Sequence, residues 1–277
     1  MRETDKPPGP AAGPESTTGF TGRTFFSSYY RATARGQVVD SMTIGTVSEP
    51  ESRFHYNATE NSIIRCLTKH APIGNQPPAV WRFSQTRRAW RVLDVGSGTG
   101  HWVDFYLDVY LAREVTALEF VPQMADFLRA KYAGRPEVTV LQADVASDPL
   151  PAARFDIVNA IGVMFHIVDD GLWKQAVARL LAVLKPGGLM LIGGDFGTET
   201  RNVQFHKTDR FDTWGEHDAA QAPVRLVNKR VRSLSDWTRL ADELGAEVAE
   251  VIRSDAAPDI RTPENDLLVL RPGSFGR

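Results

Sequence analysis

Residues 91–100 read Arg-Val-Leu-Asp-Val-Gly-Ser-Gly-Thr-Gly, and the fold turns on this stretch. Val92-Leu93-Asp94-Val95 is a short apolar run with β-branched character, Gly96, Gly98 and Gly100 follow at once, and His101 to Ala112 is compatible with a helix. The order is strand, tight turn, helix. Glycines suit such a turn because they accept positive φ and, lacking Cβ, let a ligand lie against backbone N–H groups. Glycine spacing alone would equally fit a loop that merely turns the chain. Two acids weigh in favour of a ligand. Asp94 stands at the end of an otherwise apolar strand, where an unpaired charge is costly unless something cationic meets it. Glu119 ends the next apolar run, Val115-Thr116-Ala117-Leu118, and an acid at the tip of a second parallel strand can accept hydrogen bonds from both hydroxyls of a ribose. The stretch asks for a nucleoside.

A nicotinamide-type fingerprint would need a third glycine where His101 stands, and an acid inside the strand is unexpected there. Residues 92–100 instead resemble motif I of the class I S-adenosylmethionine-dependent methyltransferases, matching its acid, glycine, x, glycine, x, glycine order at Asp94, Gly96, Gly98 and Gly100. The resemblance implies that Asp94 serves the methionine end of the cofactor and that Glu119 holds the ribose. It also implies cofactor contacts at Ser97, Phe120 and Ile161, and at Asp144 and Val145, where the family has an acid for the adenine amino group. An aspartate capping its own turn is the alternative for Asp144. Lys185-Pro186-Gly187-Gly188 resembles a structural turn of the family and carries no chemistry. At Asn159-Ala160-Ile161-Gly162 the chain departs from the Asn/Asp-Pro-Pro-aromatic loop of the family's nucleic-acid aminomethylating members. That departure counts against an adenine or cytosine amino group as acceptor.

The chain has 277 residues, 42% hydrophobic and 24% charged, with a formal net charge of −2. Such a composition supports a substantial core, and the near balance of charge argues against a general nucleic-acid binder. Arg82, Arg87, Arg88 and Arg91 read as a solvated basic face. With Cys66 alone, neither an internal disulfide nor a cysteine cluster can form, which fits a reducing compartment. No apolar run reaches bilayer-spanning length and the N-terminus lacks a signal-peptide core, so the expectation is a cytoplasmic protein.

Residues 1–22 are rich in Pro, Gly, Ser and Thr and are expected to be a disordered arm. Residues 23–84 read as a helical cap and linker: aromatic and aliphatic residues suggest amphipathic helices up to His70, clearest at Ser62 to Leu67, and Pro72, Gly74, Pro77 and Pro78 then break the pattern. Residues 85–277 are the expected Rossmann-like domain. Helices are expected at Pro122–Tyr132, Leu172–Leu184 and Leu234–Leu244, and strands at Glu137–Gln142, Phe155–Ile161, Leu189–Ile192, Glu247–Ile252 and Asp266–Leu270. This alternation predicts an α/β fold, a mostly parallel sheet with helices on both faces and a C-terminal antiparallel hairpin, with the N-terminal cap added, and the resemblance implies that it is the seven-stranded class I methyltransferase fold. Residues 195–232 interrupt it as a long polar and aromatic insertion.

A methyl-transfer site must align the acceptor with the sulfonium and, for a hydroxyl acceptor, remove a proton. His166, after the fourth strand at the sheet's carboxyl edge, is the first candidate base, and Asp195, at the tip of the next strand, is the second. A packing histidine and an N-capping aspartate are the respective alternatives. The insertion offers His206, Arg210 and Trp214 as acceptor contacts. In the cap, Tyr30 or its neighbour Tyr29 is expected beside the sulfonium through cation–π attraction, with Tyr56 and Asn57 near the acceptor. No metal is expected. The whole points to a methyltransferase using S-adenosyl-L-methionine, yielding S-adenosyl-L-homocysteine, and acting on oxygen or nitrogen of a small molecule of specialised metabolism, with no membrane partner. An RNA or protein methyltransferase is the first alternative, and a cofactor-binding regulatory module without turnover is the second.

Overall fold

Five β-branched and aliphatic runs become parallel strands: β1 (Arg91–Val95), β2 (Glu114–Glu119), β3 (Val138–Gln142), β4 (Phe155–Ile161) and β5 (Leu184–Gly193). The structure is a computed structural model and describes residues 49–70, 90–152, 154–194, 203–207, 214–218, 227–253 and 266–273. Further strands are β6 (Val203–Lys207), β7 (Trp214–Asp218), β8 (Val227–Val231), β9 (Ala246–Ile252) and β10 (Leu267–Pro272). The main sheet has seven strands in the order β3-β2-β1-β4-β5-β10-β9. β10 runs antiparallel to both β5 and β9, as the expected closing hairpin requires. Strand order reverses between β1 and β4, and in open α/β sheets ligands lie at the carboxyl ends of the strands flanking that reversal.

Side chains alternate between the two faces of a strand, so each face builds its own core. Val92, Ile157, Leu189 and Leu267 share one face with α1 (Glu49–His70), α2 (His101–Asp104) and α3 (Pro122–Lys131), through buried Ile63, Leu67, Val103 and Leu128. Leu93, Val158, Met190 and Leu268 share the other with α4 (Asp170–Ala182) and α5 (Leu234–Glu243), where Trp173 and Trp237 meet edge to face at 4.8 Å. Local chemistry sets the helix starts. Pro122 stands at the head of α3, the Asp169 carboxylate accepts from Leu172 N at 2.8 Å, and the Ser233 hydroxyl accepts from Asp236 N at 3.2 Å.

α1 is one 22-residue helix that joins the sheet's core rather than standing apart from it. Its C-terminal end is tied to the hairpin, where Lys69 Nζ donates to Glu250 at 2.7 Å and His70 pairs with the same carboxylate. The expected segments before residue 49 and at 71–84 lie outside the described residues.

Three expectations change. The helix after the glycine turn is a four-residue α2 that passes into a π turn, Phe105–Val109, with Tyr110 N donating to Phe105 O at 3.0 Å. Lys185–Gly188 does not precede β5 but is looped out within it: Leu184 pairs with Phe155 and Leu189 with Ile157, and Gly187 takes a φ of 78°. The insertion contains a second sheet, with antiparallel strands in the order β7-β6-β8. Those strands are five residues each and mostly polar, and only the brief alternation Val203-Gln204-Phe205-His206 hints at one of them.

Candidate active site

The glycine turn follows β1 with Gly96, Gly98 and Gly100 at φ of 67°, 51° and 88°, conformations that side chains with a Cβ rarely adopt. Gly96 N and Ser97 N donate to Leu118 O at 2.8 and 3.2 Å, anchoring the turn to the tip of β2. A Cβ on Gly96 would lie 2.5 Å from Val163 Cγ2, so the turn also touches the loop that follows β4. From outside, the end of α3 braces it. Tyr132 Oη donates to Gly100 O at 2.9 Å, and Lys131 Nζ donates to Thr99 O at 2.9 Å. The sequence singled out neither Tyr132 nor Lys131, since a helix-terminal Lys-Tyr pair looks like any other until the turn folds back on it.

The two acids differ in how they are satisfied. Glu119 is 3% exposed and both its oxygens accept from the backbone, Oε2 from Gly98 N and Oε1 from Val121 N, each at 3.0 Å. Burial raises its carboxyl pKa, and the N–H groups of Val121, Gly98 and Phe120 oppose that rise. Each oxygen keeps a further lone pair for a hydroxyl donor. Asp94 is fully buried, and its register partner on β4 is Asn159. Asn159 Nδ2 donates to Asp94 Oδ1 at 2.7 Å, while Oδ2 has no hydrogen-bond partner. Burial pushes the Asp94 carboxyl up to about 7, against the hydrogen bonds from Asn159 and Ser97 and the nearby His101. Ser97 Oγ also donates to Asp94 O at 3.0 Å.

Asn159 thus sits within β4, three residues from the Gly162 turn, with its side chain committed to Asp94. The sequence read it only as a departure from a family loop. Its role depends on a cross-strand register that one strand alone does not reveal.

Phe120 is half-buried beside Glu119, and Ile161 is buried at the end of β4. Asp144, half-buried after β3, caps its own turn by accepting from Ala146 N through Oδ1 at 2.9 Å, and its N–H donates to Asp148 at 2.8 Å. Val145 is buried next to it.

On the acceptor side, Gly162 and Gly194 end β4 and β5 at φ of 76° and 69°. The Phe165 ring lies 3.2 Å from where a Cβ on Gly194 would stand, so an aromatic ring stands against the tip of β5, while a Cβ on Gly162 would meet nothing within 4 Å. His166 follows on the same short turn, Met164–His166, half-buried with its ring 4.3 Å from that of Phe165. β8 runs against this loop. Lys229 Nζ sits 4.4 Å from the Phe165 ring centre, and the buried Arg232 donates to Ile167 O at 2.9 Å and Asp170 Oδ1 at 3.0 Å while stacking on Trp173 at 4.3 Å. The second sheet is therefore fastened to the loop that carries His166.

Tyr56 of α1 is buried and stacks on His101 at 3.8 Å, which pairs with Glu60 at 2.9 Å, whereas Asn57 is exposed. These contacts put Tyr56 against the helix that leaves the glycine turn. His206 and Trp214 fall on β6 and β7 by backbone position. Asp195, Arg210, Tyr29 and Tyr30 lie outside the described residues. Among the described residues, no three His, Cys, Asp or Glu side chains gather as metal ligands, and no helix is long and apolar enough to cross a membrane.

The residues present fit S-adenosylmethionine. A buried, half-satisfied carboxylate suits an ammonium, a braced carboxylate suits a diol, and the positive-φ glycines between them leave backbone open to a ligand. An open sheet of this strand order with such a turn at its reversal has the class I methyltransferase fold.

Comparison with known proteins agrees. Residues 92–188 match a family described as a methyltransferase domain. A protein of Mycolicibacterium smegmatis named a probable S-adenosylmethionine-dependent methyltransferase is 36% identical over 58% of this chain and 53% of its own length. A demethylmenaquinone methyltransferase of Thermus thermophilus is 31% identical over 37% of this chain and 46% of its own length. The chain thus spans about half the length of these curated relatives. Among solved structures, an S-adenosylmethionine-dependent methyltransferase of Leishmania major is similar with a TM-score of 0.57 at 17% identity, over 90% of this chain and 82% of that one. One from Clostridium acetobutylicum gives 0.53 at 12% identity, over 91% and 99%. Residues 92–188 are thus similar to a methyltransferase domain, and the relatives that match there include proteins named as S-adenosylmethionine-dependent methyltransferases.

Proposed function

We propose that this chain transfers a methyl group from S-adenosylmethionine to an oxygen or nitrogen of a small molecule, acting in the cytoplasm. The observation that carries the reading is the pair of buried acids around the glycine turn, one braced at both oxygens and one with an oxygen left over. In this reading Asp94 receives the methionine ammonium, Glu119 the ribose hydroxyls, and Phe120, Ile161, Asp144 and Val145 surround the adenine. One oxygen of Asp144 caps its turn, and the other remains for the adenine amino group. Bound there, the cofactor supplies a methyl made electrophilic by its sulfonium.

The chain's own contribution is to hold the acceptor in line and to manage its proton. Phe165 beside the Gly194 tip offers an apolar wall, which suits a small acceptor. In this reading His166, half-buried beside that wall, takes a proton from a hydroxyl acceptor, as an imidazole can near neutral pH. Arg232 fixes the backbone on which His166 rides. The M. smegmatis and T. thermophilus relatives lend support through the activities in their names.

Calorimetric titration tests the cofactor reading. S-adenosylmethionine and S-adenosylhomocysteine should both bind, with a nicotinamide dinucleotide as the control that does not. Binding of the dinucleotide alone would overturn the reading of the two acids and every role built on it.

A further inference from the structure

Asp94 and Asn159 are neighbours across β1 and β4, and behind them lies a third buried polar side chain. Tyr106 Oη, from the π turn, donates to Asn159 Oδ1 at 3.1 Å, and Asn159 Nδ2 donates to Asp94 Oδ1 at 2.7 Å. All three residues are fully buried on the face of the sheet that α1 and α2 cover.

The direction of this chain follows from the donors. A tyrosine hydroxyl next to an amide oxygen donates to it, which leaves the amide NH2 facing Asp94. Asp94 Oδ1 then has a donor, the carboxylate plane is set, and Oδ2 is the oxygen left with none. An apolar trio would fill the same space without the desolvation of three polar groups, one of them left half-satisfied. That cost makes sense if the free oxygen meets a ligand.

We propose that Asn159 and Tyr106 are positioning residues for the methionine end of the cofactor, holding Asp94 so that Oδ2 is presented to the ammonium. The proposal rests on the assignment of Asp94 to that ammonium. Tyr106 reaches Asn159 from within the π turn Phe105–Val109.

The test compares two ligands, S-adenosylhomocysteine, which carries the amino-acid tail, and 5′-methylthioadenosine, which lacks it. Affinities are measured for the wild type, Asp94→Asn, Tyr106→Phe and Asn159→Val, with thermal unfolding as a check on folding. Asp94→Asn should weaken S-adenosylhomocysteine about tenfold or more, Asn159→Val about tenfold and Tyr106→Phe about threefold, with 5′-methylthioadenosine held within about twofold throughout. A generally loosened fold would weaken both ligands together. If Asp94→Asn is selective for the tailed ligand while Tyr106→Phe and Asn159→Val are not, the positioning role is wrong and the Asp94 assignment stands. If Asp94→Asn itself shows no selectivity, the assignment falls and the positioning role with it. Tyr106→Phe removes a single oxygen, so it keeps the test decisive should Asn159→Val fail to fold.

Discussion

Replacing Asp94 with Asn should flatten the dependence of the ligand-free protein's stability on pH. Burial raises the Asp94 carboxyl from 3.8 to about 7 in the folded protein, whereas in the unfolded chain it titrates near the ordinary value. Between these two values the folded state keeps a proton that the unfolded state has released. The stabilisation is thus fully present below the lower pKa and is lost as pH rises through the upper one. The separation corresponds to about 4 kcal/mol in all, of which roughly 2 to 3 kcal/mol falls between pH 5 and 8. For a domain of this size that is roughly 5 to 10 °C in Tm. The Asn variant keeps an oxygen to accept from Asn159 Nδ2 and cannot ionise. The amide it places at the Oδ2 position adds a cost without pH dependence, which moves the whole curve and leaves its slope alone. Scanning calorimetry from pH 5 to 8 at constant ionic strength should show the wild type losing Tm relative to the variant as pH rises. The buried Glu119, whose pKa is also raised, is present in both proteins, so the difference between the curves reports Asp94 together with its repulsion from Glu119. Parallel curves would refute the placing of the proton on Asp94. Saturating S-adenosylhomocysteine should reduce the wild-type slope, because an ammonium at Oδ2 favours the charged carboxylate. Binding near pH 7 should then release a proton, detectable as a heat that varies with the buffer.

Glu119→Ala should weaken S-adenosylhomocysteine about tenfold or more by calorimetry, since it removes the ribose acceptor and the partner of Gly98 N and Val121 N together. Gly96→Ala should cost about 1 to 3 kcal/mol in denaturant unfolding, from a φ of 67° and the clash with Val163, and Val163→Ala in the same chain should recover the steric share. Arg232→Met should lower stability by about 2 to 4 kcal/mol, because the buried guanidinium's bonds to Ile167 O, Val168 O and Asp170 are lost, while the exposed Asp170 can be resolvated. His166→Gln should leave S-adenosylhomocysteine affinity unchanged and depress turnover of a hydroxyl acceptor, measured by transfer of labelled methyl; unchanged turnover would remove His166 as the base.

What could be read from the chain and what could not divide along a physical line. The glycine turn, Asp94 and Glu119 were legible because they lie within one βα unit and its successor, where residue type and order dictate geometry. β4 was legible to the residue, since Phe155–Ile161 is mostly apolar, Asp156 and Asn159 apart, and is followed by the turn residue Gly162. The short strands β6, β7 and β8 were not, because they pair with one another, are mostly polar and offer at most one apolar-polar alternation of four residues, in β6. The π turn was hidden as well. Trp102 to Leu107 is apolar nearly throughout, and the sequence does not say whether such a run closes every turn at the α spacing. Asn159, Tyr106, Tyr132 and Arg232 act through partners 53, 65, 32 or 62 residues away, and each is an ordinary polar residue until the sheet sets the register.

In the proposed reading the two acids also divide the work of binding between the two ends of the site. Glu119 has its desolvation offset before any ligand arrives, because the backbone N–H groups of Gly98 and Val121 already meet both oxygens. The nucleoside end is therefore preorganised, and a ligand there gains affinity without reordering the acid. Asp94 is the opposite case. Its Oδ1 is met and its Oδ2 is not, and its raised pKa marks the residual cost of keeping that charge buried. A cation placed at Oδ2 relieves that cost, so the tail's contribution to affinity should grow as pH rises through about 7, where the free protein's carboxyl would otherwise be losing its proton at a penalty. A ligand without the tail should show no such trend. Titrating S-adenosylhomocysteine and 5′-methylthioadenosine from pH 6 to 8 would separate the two ends, and equal pH dependence for both would show that Asp94 does not meet the tail.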